Sequence, residues 1–153
     1  MKDISLFAET LSLLRRAKDW HISTRQRMLE HAYSEFNNDD WTIVGFTKAF
    51  IDEMKENDFD HSRVKYCRSH LFKRRDTAEN VLNSDMSAEE VLNYMESRDK
   101  TVLSLRSENK DDGSLKIEYE HEPSPDLFIS QYIGFSMRKK HEIVYLRERF
   151  GPK

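Results

Sequence analysis

The chain has 153 residues, the size of one ordinary domain, so we expect a single domain over residues 1–153. Hydrophobic residues make up 37% of the chain and charged residues 35%. Aromatic residues make up 11%, which excludes a disordered chain, because such chains lack this much bulky apolar surface. The net charge of -3 gives no overall attraction to nucleic acid.

Scarce turn residues and a single cysteine narrow the class of protein. Four Gly and three Pro are too few for the many tight turns of an all-β sandwich, so helices are favoured. Cys67 is the only cysteine, which excludes an intrachain disulfide and suits a reducing cytoplasm. No apolar run approaches the roughly 20 residues of a membrane helix, and acidic residues interrupt the N-terminus where a signal peptide would be apolar. We therefore expect a cytoplasmic protein that does not enter a membrane.

Apolar residues spaced three and four apart predict five helices in the first hundred residues. The first covers 4–19, and the second follows a capping box at Ser23–Gln26 and reaches Phe36. The third lies within 41–57, and the fourth begins at Val64 and continues toward Leu82. A second capping box, Ser87–Glu90, opens a short fifth helix.

The pattern changes after Lys100. Alternating apolar residues on both sides of Asp112-Gly113 predict a β-hairpin near 101–121. Residues 125–149 are predicted to form a last helix, and the alternative is a strand over 127–137 followed by a short terminal helix. The expected fold is mainly α within the α+β class: a bundle of five to six helices with one small hairpin.

The predicted core collects the large apolar residues of these stripes. Its members are Phe7, Leu11, Leu14, Met28, Leu29, Phe36, Phe46, Phe50, Val64, Leu71, Val91 and Leu92.

No complete catalytic or metal-binding constellation is present in the sequence. Cys67 with His70, and His31 with Glu35, have the helical spacing of metal ligands, but neither pair extends to a third ligand. The chain has no GxSxG elbow and no glycine-rich phosphate loop, and the His21-x-Ser23 pattern of two-histidine phosphoesterases lacks a second copy. We therefore predict no catalytic residue, no metal and no cofactor.

Charge alternates in blocks along the chain, and the segment 62–75 is the most unusual block. It contains six Lys/Arg and no Asp/Glu, with two aromatic residues among the cations. Read as a helix, this segment is a candidate site for a protein or for a nucleic-acid backbone. The structural alternative is a central bundle helix, in which oppositely charged helices attract along their solvated edges. The candidate partner-binding residues are Arg63, Lys65, Tyr66, Arg68, Phe72, Lys73, Arg74 and Arg75.

The leading hypothesis is a non-enzymatic interaction protein, an inhibitor or adaptor, that binds a macromolecular protein partner through charge-patterned helices. The Lys/Glu-rich and Gly-poor composition is similar to that of small proteins encoded by bacteriophages, and this resemblance implies an accessory protein that blocks host or viral machinery. One alternative is a nucleic-acid-binding regulator that uses the 62–75 helix and the basic C-terminus. Another is a hydrolase with dispersed Asp, Glu and His residues. The oligomeric state stays open.

Overall fold

The structure is a computed structural model that describes residues 2–37, 42–110, 112–124, 126–128, 137 and 140–153. Within these residues the chain forms six α-helices and four β-strands, and none of the helices is long and apolar enough to cross a membrane. In chain order the elements are α1 (Ile4–Arg16), α2 (Ile22–Asn37), β1 (Thr42–Phe46), α3 (Lys48–Glu56), β2 (Tyr66–His70), α4 (Arg74–Leu82), α5 (Ala88–Arg98), β3 (Lys100–Leu105), β4 (Tyr119–Glu120) and α6 (Lys140–Phe150). Short 3₁₀ turns occupy His61–Arg63 and Arg106–Glu108.

The chain divides into two compact units, each built from two separate stretches. The helical unit comprises Met1–Asp40 and Phe72–Asp99, and the sheet unit comprises Trp41–Leu71 and Lys100–Lys153. The helical unit contains α1, α2, α4 and α5, whereas every strand belongs to the sheet unit. The chain therefore crosses between the units three times, after residues 40, 71 and 99.

The helical unit follows the predicted apolar stripes. Phe7, Leu11 and Leu14 of α1 are buried against residues of α2, α4 and α5. Arg15 of α1 is bonded to α4 and to the α4–α5 connection, because its guanidinium donates to the carbonyl oxygens of Val81 at 3.1 Å and of Met86 at 2.9 Å. The Val81 carbonyl, in the last turn of α4, also accepts from Ser84 Oγ at 3.0 Å.

The two predicted capping boxes have different outcomes. The box at Ser87 is confirmed, since Ser87 Oγ accepts from the Glu90 amide at 3.2 Å and the Glu90 carboxylate accepts from the Ser87 amide at 2.7 Å. The box at Ser23 is wrong. Helix α2 begins at Ile22, so Ser23 lies inside its first turn, and the Gln26 side chain donates to Glu30 instead of turning back to the cap.

The sheet has the strand order β2-β3-β1-β4, with β1 parallel to β3 and the two outer strands antiparallel to their neighbours. The predicted hairpin at 101–121 is therefore wrong, because β1 lies between β3 and β4. The consecutive residues Val102 and Leu103 are both fully buried, on opposite faces of β3. An apolar run of this kind is typical of a central strand, and a hairpin with one solvated face would show alternation.

The predicted helix at 41–57 is a strand followed by a helix. Thr42, Ile43 and Val44 are β-branched and favour an extended chain. Thr47 then caps α3, and its Oγ1 accepts from the Phe50 amide at 3.3 Å. The predicted helix at 64–82 divides in the same way into β2 and α4. Consequently, no helix spans 62–75.

The predicted helix at 125–149 is wrong over its first part. Residues 126–128 are not helical, Phe128 has a positive φ of 56°, and α6 starts only at Lys140. The alternative is confirmed in its short terminal helix, while its strand at 127–137 falls mostly outside the described residues.

Nine of the twelve predicted core residues are buried. The exceptions are Phe36 and Leu71, which are half-buried, and Met28, which is 37% exposed. In the sheet unit, Phe46 and Phe50 stack with ring centroids 6.1 Å apart at the centre of a core that also holds Phe128 and Leu146.

Candidate protein-binding surface

The eight residues predicted to bind a partner do not form one surface within either unit. Arg63, Lys65, Tyr66 and Arg68 belong to the sheet unit, whereas Phe72, Lys73, Arg74 and Arg75 belong to the helical unit. The boundary between the units falls at Leu71, inside the segment that the sequence presents as continuous.

Tyr66 is a core residue of the sheet unit and not an exposed anchor. Its side chain is 9% exposed and packs edge-on to Phe50, with 5.9 Å between ring centroids. Its hydroxyl oxygen accepts a hydrogen bond of 2.8 Å from the backbone amide of Met137. This contact uses the polar end of the ring inside the unit, which is what a buried tyrosine requires.

The other predicted residues of the sheet unit are less buried. Arg68 lies half-buried on β2. Lys65 is exposed, and Arg63 is exposed and pairs with Asp60 at 3.2 Å.

Three of the four predicted residues in the helical unit contact other residues of that unit, and the fourth, Lys73, is exposed. Phe72 is half-buried, and the guanidinium carbon of Arg98 lies 4.4 Å from the centroid of its ring. Arg74 pairs with Glu30 at 3.5 Å, and Arg75 pairs with Glu79 at 2.8 Å. Surface pairs of this kind add little stability. They do lower the positive charge that a polyanion would meet.

The histidine and cysteine pairs do not assemble a metal site. Cys67 and His70 are three apart on a strand, so their side chains leave opposite faces of β2. Cys67 Sγ instead lies 3.4 Å from Ser69 Oγ. Among the residues that the structure describes, no three His, Cys, Asp or Glu side chains converge as metal ligands would.

His121 is the histidine with the most unusual surroundings. It is 6% exposed, with its ring 5.6 Å from that of Phe46 and its Nδ1 3.1 Å from the Tyr145 hydroxyl. Burial, and to a lesser degree the positive charge of Arg149, lowers the pKa of His121. A neutral imidazole packed among aromatic rings is a structural element of this core.

A polar groove of about 570 Å³ lies beside the start of α3 in the sheet unit. Its best-defined group is the Glu108 carboxylate, which accepts from Thr47 Oγ1 at 2.7 Å and from the Leu105 amide at 2.8 Å. Lys48 also lines the groove and hydrogen-bonds Asp52, an interaction that raises the pKa of Lys48. These bonds explain the carboxylates as structural groups of a turn and a helix start.

The helical unit exposes large apolar side chains along α1 and α2. Leu6 is 69% exposed, Leu13 47% and Met28 37%, and Trp20, in the connection between the two helices, is 46% exposed. Leu6 and Leu13 are seven residues apart and thus share one side of α1. We call the surface formed by Leu6, Leu13, Trp20 and Met28 the α1–α2 face.

A groove of about 580 Å³ lies between the two helices and includes Leu6 and Met28 of this face. Leu6, Phe7 and Thr10 line it from α1, and Met28 and Phe36 line it from α2. Its floor is apolar, and Asp3, His31 and Glu35 stand at its edge. An apolar floor with a polar rim is the usual arrangement of a protein-binding surface.

The sequence already contains the signal for this surface. Leu6, Thr10 and Leu13 of α1 are spaced four and three apart, beside the core stripe that runs through Phe7, Leu11 and Leu14, and Ala17 and Trp20 continue this spacing past the end of the helix. Sequence reasoning used the core stripe and missed the second one. A helix with two adjacent apolar stripes has more apolar surface than one unit buries.

No family model matches this chain, and no similar curated protein or solved structure was found. The interpretation of the α1–α2 face therefore depends on its own geometry.

Proposed function

We propose that this protein is a non-enzymatic interaction protein and that it binds a protein partner through the α1–α2 face of its helical unit. The observation that supports the proposal is the exposure of Leu6, Leu13, Trp20 and Met28 on two neighbouring helices and their connection. Isolated exposed apolar residues are ordinary, but here Leu6 and Met28 line an apolar groove, an arrangement that is typical of a binding surface.

The residue types favour a protein partner. Trp is among the residues that contribute most to protein interfaces, and Met adapts its shape to apolar partners. The groove suits an amphipathic helix, which would place apolar residues at i, i+3, i+4 and i+7 along its floor.

A nucleic-acid partner has less support. Arg74 and Arg75, which that alternative needs, are paired with Glu30 and Glu79. Tyr66, the aromatic residue that would stack on a base, is buried. Three of the six cations of the basic segment are thus paired with acids, since Arg63 pairs with Asp60, and the segment lacks the exposed tyrosine ring of a backbone-tracking site.

The test is a pull-down of the tagged full-length chain from native cell extract, with and without nuclease. The double variant Leu6→Ser/Leu13→Ser removes the apolar face, and Val144→Ser is a matched control because Val144 of α6 is also 47% exposed. We expect the wild-type chain and the control to retain the same protein partner after nuclease, and the double variant to lose it.

Two results would contradict the proposal. Retention of the partner by the Leu6→Ser/Leu13→Ser variant would place the binding surface elsewhere. Loss of the partner from the wild-type chain after nuclease would favour the nucleic-acid alternative.

Circular dichroism of the double variant should match that of the wild type, since both leucines are exposed.

A further inference from the structure

We infer that the protein partner of the α1–α2 face is a second copy of this chain, seated antiparallel on the first. This inference depends on the proposed function, because it names the partner for the same surface. Three features of the helical unit support it: the spacing of the exposed stripe, the distribution of charge along the face, and the pairs that a two-fold axis would form.

The exposed stripe has the repeat of a helix that packs lengthwise on another helix. Within α1, the spacings of four and three from Leu6 through Thr10 to Leu13 average 3.5 residues. This is the repeat of left-handed, nearly aligned helix pairs. Thr10, a smaller and polar residue, lies between Leu6 and Leu13 on this stripe, so Leu13 of one copy has room to pack against Thr10 of the other.

The two ends of the face carry opposite charge. α1 and α2 run in opposite directions, since Lys2 at the start of α1 contacts the backbone oxygen of Glu35 near the end of α2. Exposed acidic residues therefore gather at one end and exposed basic residues at the other: Asp3, Glu9 and Glu35, against Arg16, Lys18 and Arg27.

These six charged groups are exposed, and Asp3 also accepts a hydrogen bond from the Ser5 amide as the cap of α1. None of them forms an ion pair with another residue in the described part of the chain. Lys2 and Asp19 reduce the charge difference between the ends, but the Lys2 ammonium is already bonded to a carbonyl oxygen. A surface that is acidic at one end and basic at the other complements itself when a second copy is turned end for end.

A two-fold axis between residues 11 and 12 gives a specific register. It sets Thr10 of one copy at the level of Leu13 of the other, and Leu6 at the level of Ala17. Glu9 and Arg16 lie on the flank of the stripe that faces away from α2, and the axis brings this flank against its own copy. Glu9 then lies within two residues, about 3 Å along the helix, of the level of Arg16 in the second copy. Symmetry forms this pair twice.

The experiment is sedimentation equilibrium of the full-length chain from about 1 µM to about 100 µM. Dimers with small interfaces typically form in this concentration range. The variants are Leu13→Ser, Glu9→Arg, Arg16→Glu and the double reversal Glu9→Arg/Arg16→Glu. The controls are Val144→Ser and Glu56→Arg, both at exposed positions of the sheet unit.

We expect the wild-type chain and both controls to form a dimer, and Leu13→Ser to remain monomeric. Each single charge reversal should weaken the dimer about three- to tenfold, because it replaces two attractive pairs with two repulsive ones. The double reversal should restore the dimerisation constant to within about twofold of the wild-type value. Such restoration is specific to Glu9 facing Arg16 of a second copy.

A wild-type chain that stays monomeric over the whole range would overturn the inference. A dimer that the double reversal fails to restore would overturn the antiparallel register. The proposed function would survive either result if the pull-down still showed a different protein lost from the Leu6→Ser/Leu13→Ser variant. The two sets of measurements therefore separate failure of the inference from failure of the proposed function.

Discussion

Replacement of Tyr66 separates a core role from an interface role. Tyr66→Phe keeps the ring but removes the oxygen that accepts from the Met137 amide at 2.8 Å. The amide is then left buried without that partner, which should cost about 1–3 kcal/mol of unfolding free energy. Tyr66→Ala also removes a ring that packs on Phe50, and losses of buried aromatic side chains cost about 3–5 kcal/mol.

Urea unfolding followed by circular dichroism measures these differences. Lys65→Ala is the matched control, because Lys65 is the exposed neighbour of Tyr66 and should change stability by less than about 0.5 kcal/mol. An equally small effect of Tyr66→Ala would refute the reasoning and return Tyr66 to the surface as an anchor for a partner. If Tyr66→Ala lowers the unfolding free energy as expected but Tyr66→Phe does not, the core role of the ring stands and only the role of the hydroxyl is refuted.

Three further changes test other parts of the structure. The pKa of His121 is lowered from its ordinary value of 6.5, so the unfolded chain binds a proton more readily than the folded chain, and stability should fall as the pH drops below about 6.5. His121→Phe should remove this dependence of stability on pH, as measured by urea unfolding at several pH values. An unchanged dependence would assign it to other groups. Ser87→Ala removes the helix cap of α5 and should cost about 1 kcal/mol in thermal unfolding, whereas an unchanged melting temperature would show that the cap is dispensable. Gly45→Ala would place a methyl group 2.6 Å from the Tyr119 carbonyl oxygen and should destabilise the sheet unit by about 1–3 kcal/mol in urea, so wild-type stability would contradict the close strand approach.

Helices with their own local signals could be predicted from sequence. α1 combines a regular stripe with an Asp3 cap, and α5 combines a stripe with a complete capping box. Both sets of signals act within a few residues, so they do not depend on the rest of the fold. The predicted and observed starts of these two helices agree for that reason.

The strands β1 and β2 could not be predicted by the same reasoning, because helical spacing was present by coincidence. Ile43, Phe46, Phe50 and Met54 have a spacing of three and four and are all buried, but the first two lie in β1 and the others in α3. A helix and a strand that turn back on each other can bury such a set against one core. Only the pairing of β1 with β3, more than fifty residues away, decides between them.

The candidate surface had a signal that sequence reasoning could have weighed. The stripe through Leu6 and Leu13 is regular, but a second apolar stripe on a helix also fits a helix buried on two sides. Burial is a property of the packed unit, and Leu6 is 69% exposed only because no described element of the helical unit covers it. The sequence alone could show the stripe but not its exposure.

The basic segment 62–75 shows why a run of like charges in a sequence need not be a charged patch. A strand sends neighbouring side chains to opposite faces, so Arg68 and Cys67 of β2 point apart. A helix places a cation beside an acid four residues later, as Arg75 and Glu79 show. Arg74 finds its partner Glu30 in the acidic block that includes α2. The alternating blocks thus supply counter-charges to Arg74 and Arg75 within the helical unit, which is the structural role that block alternation predicts, while Lys65 and Lys73 stay exposed.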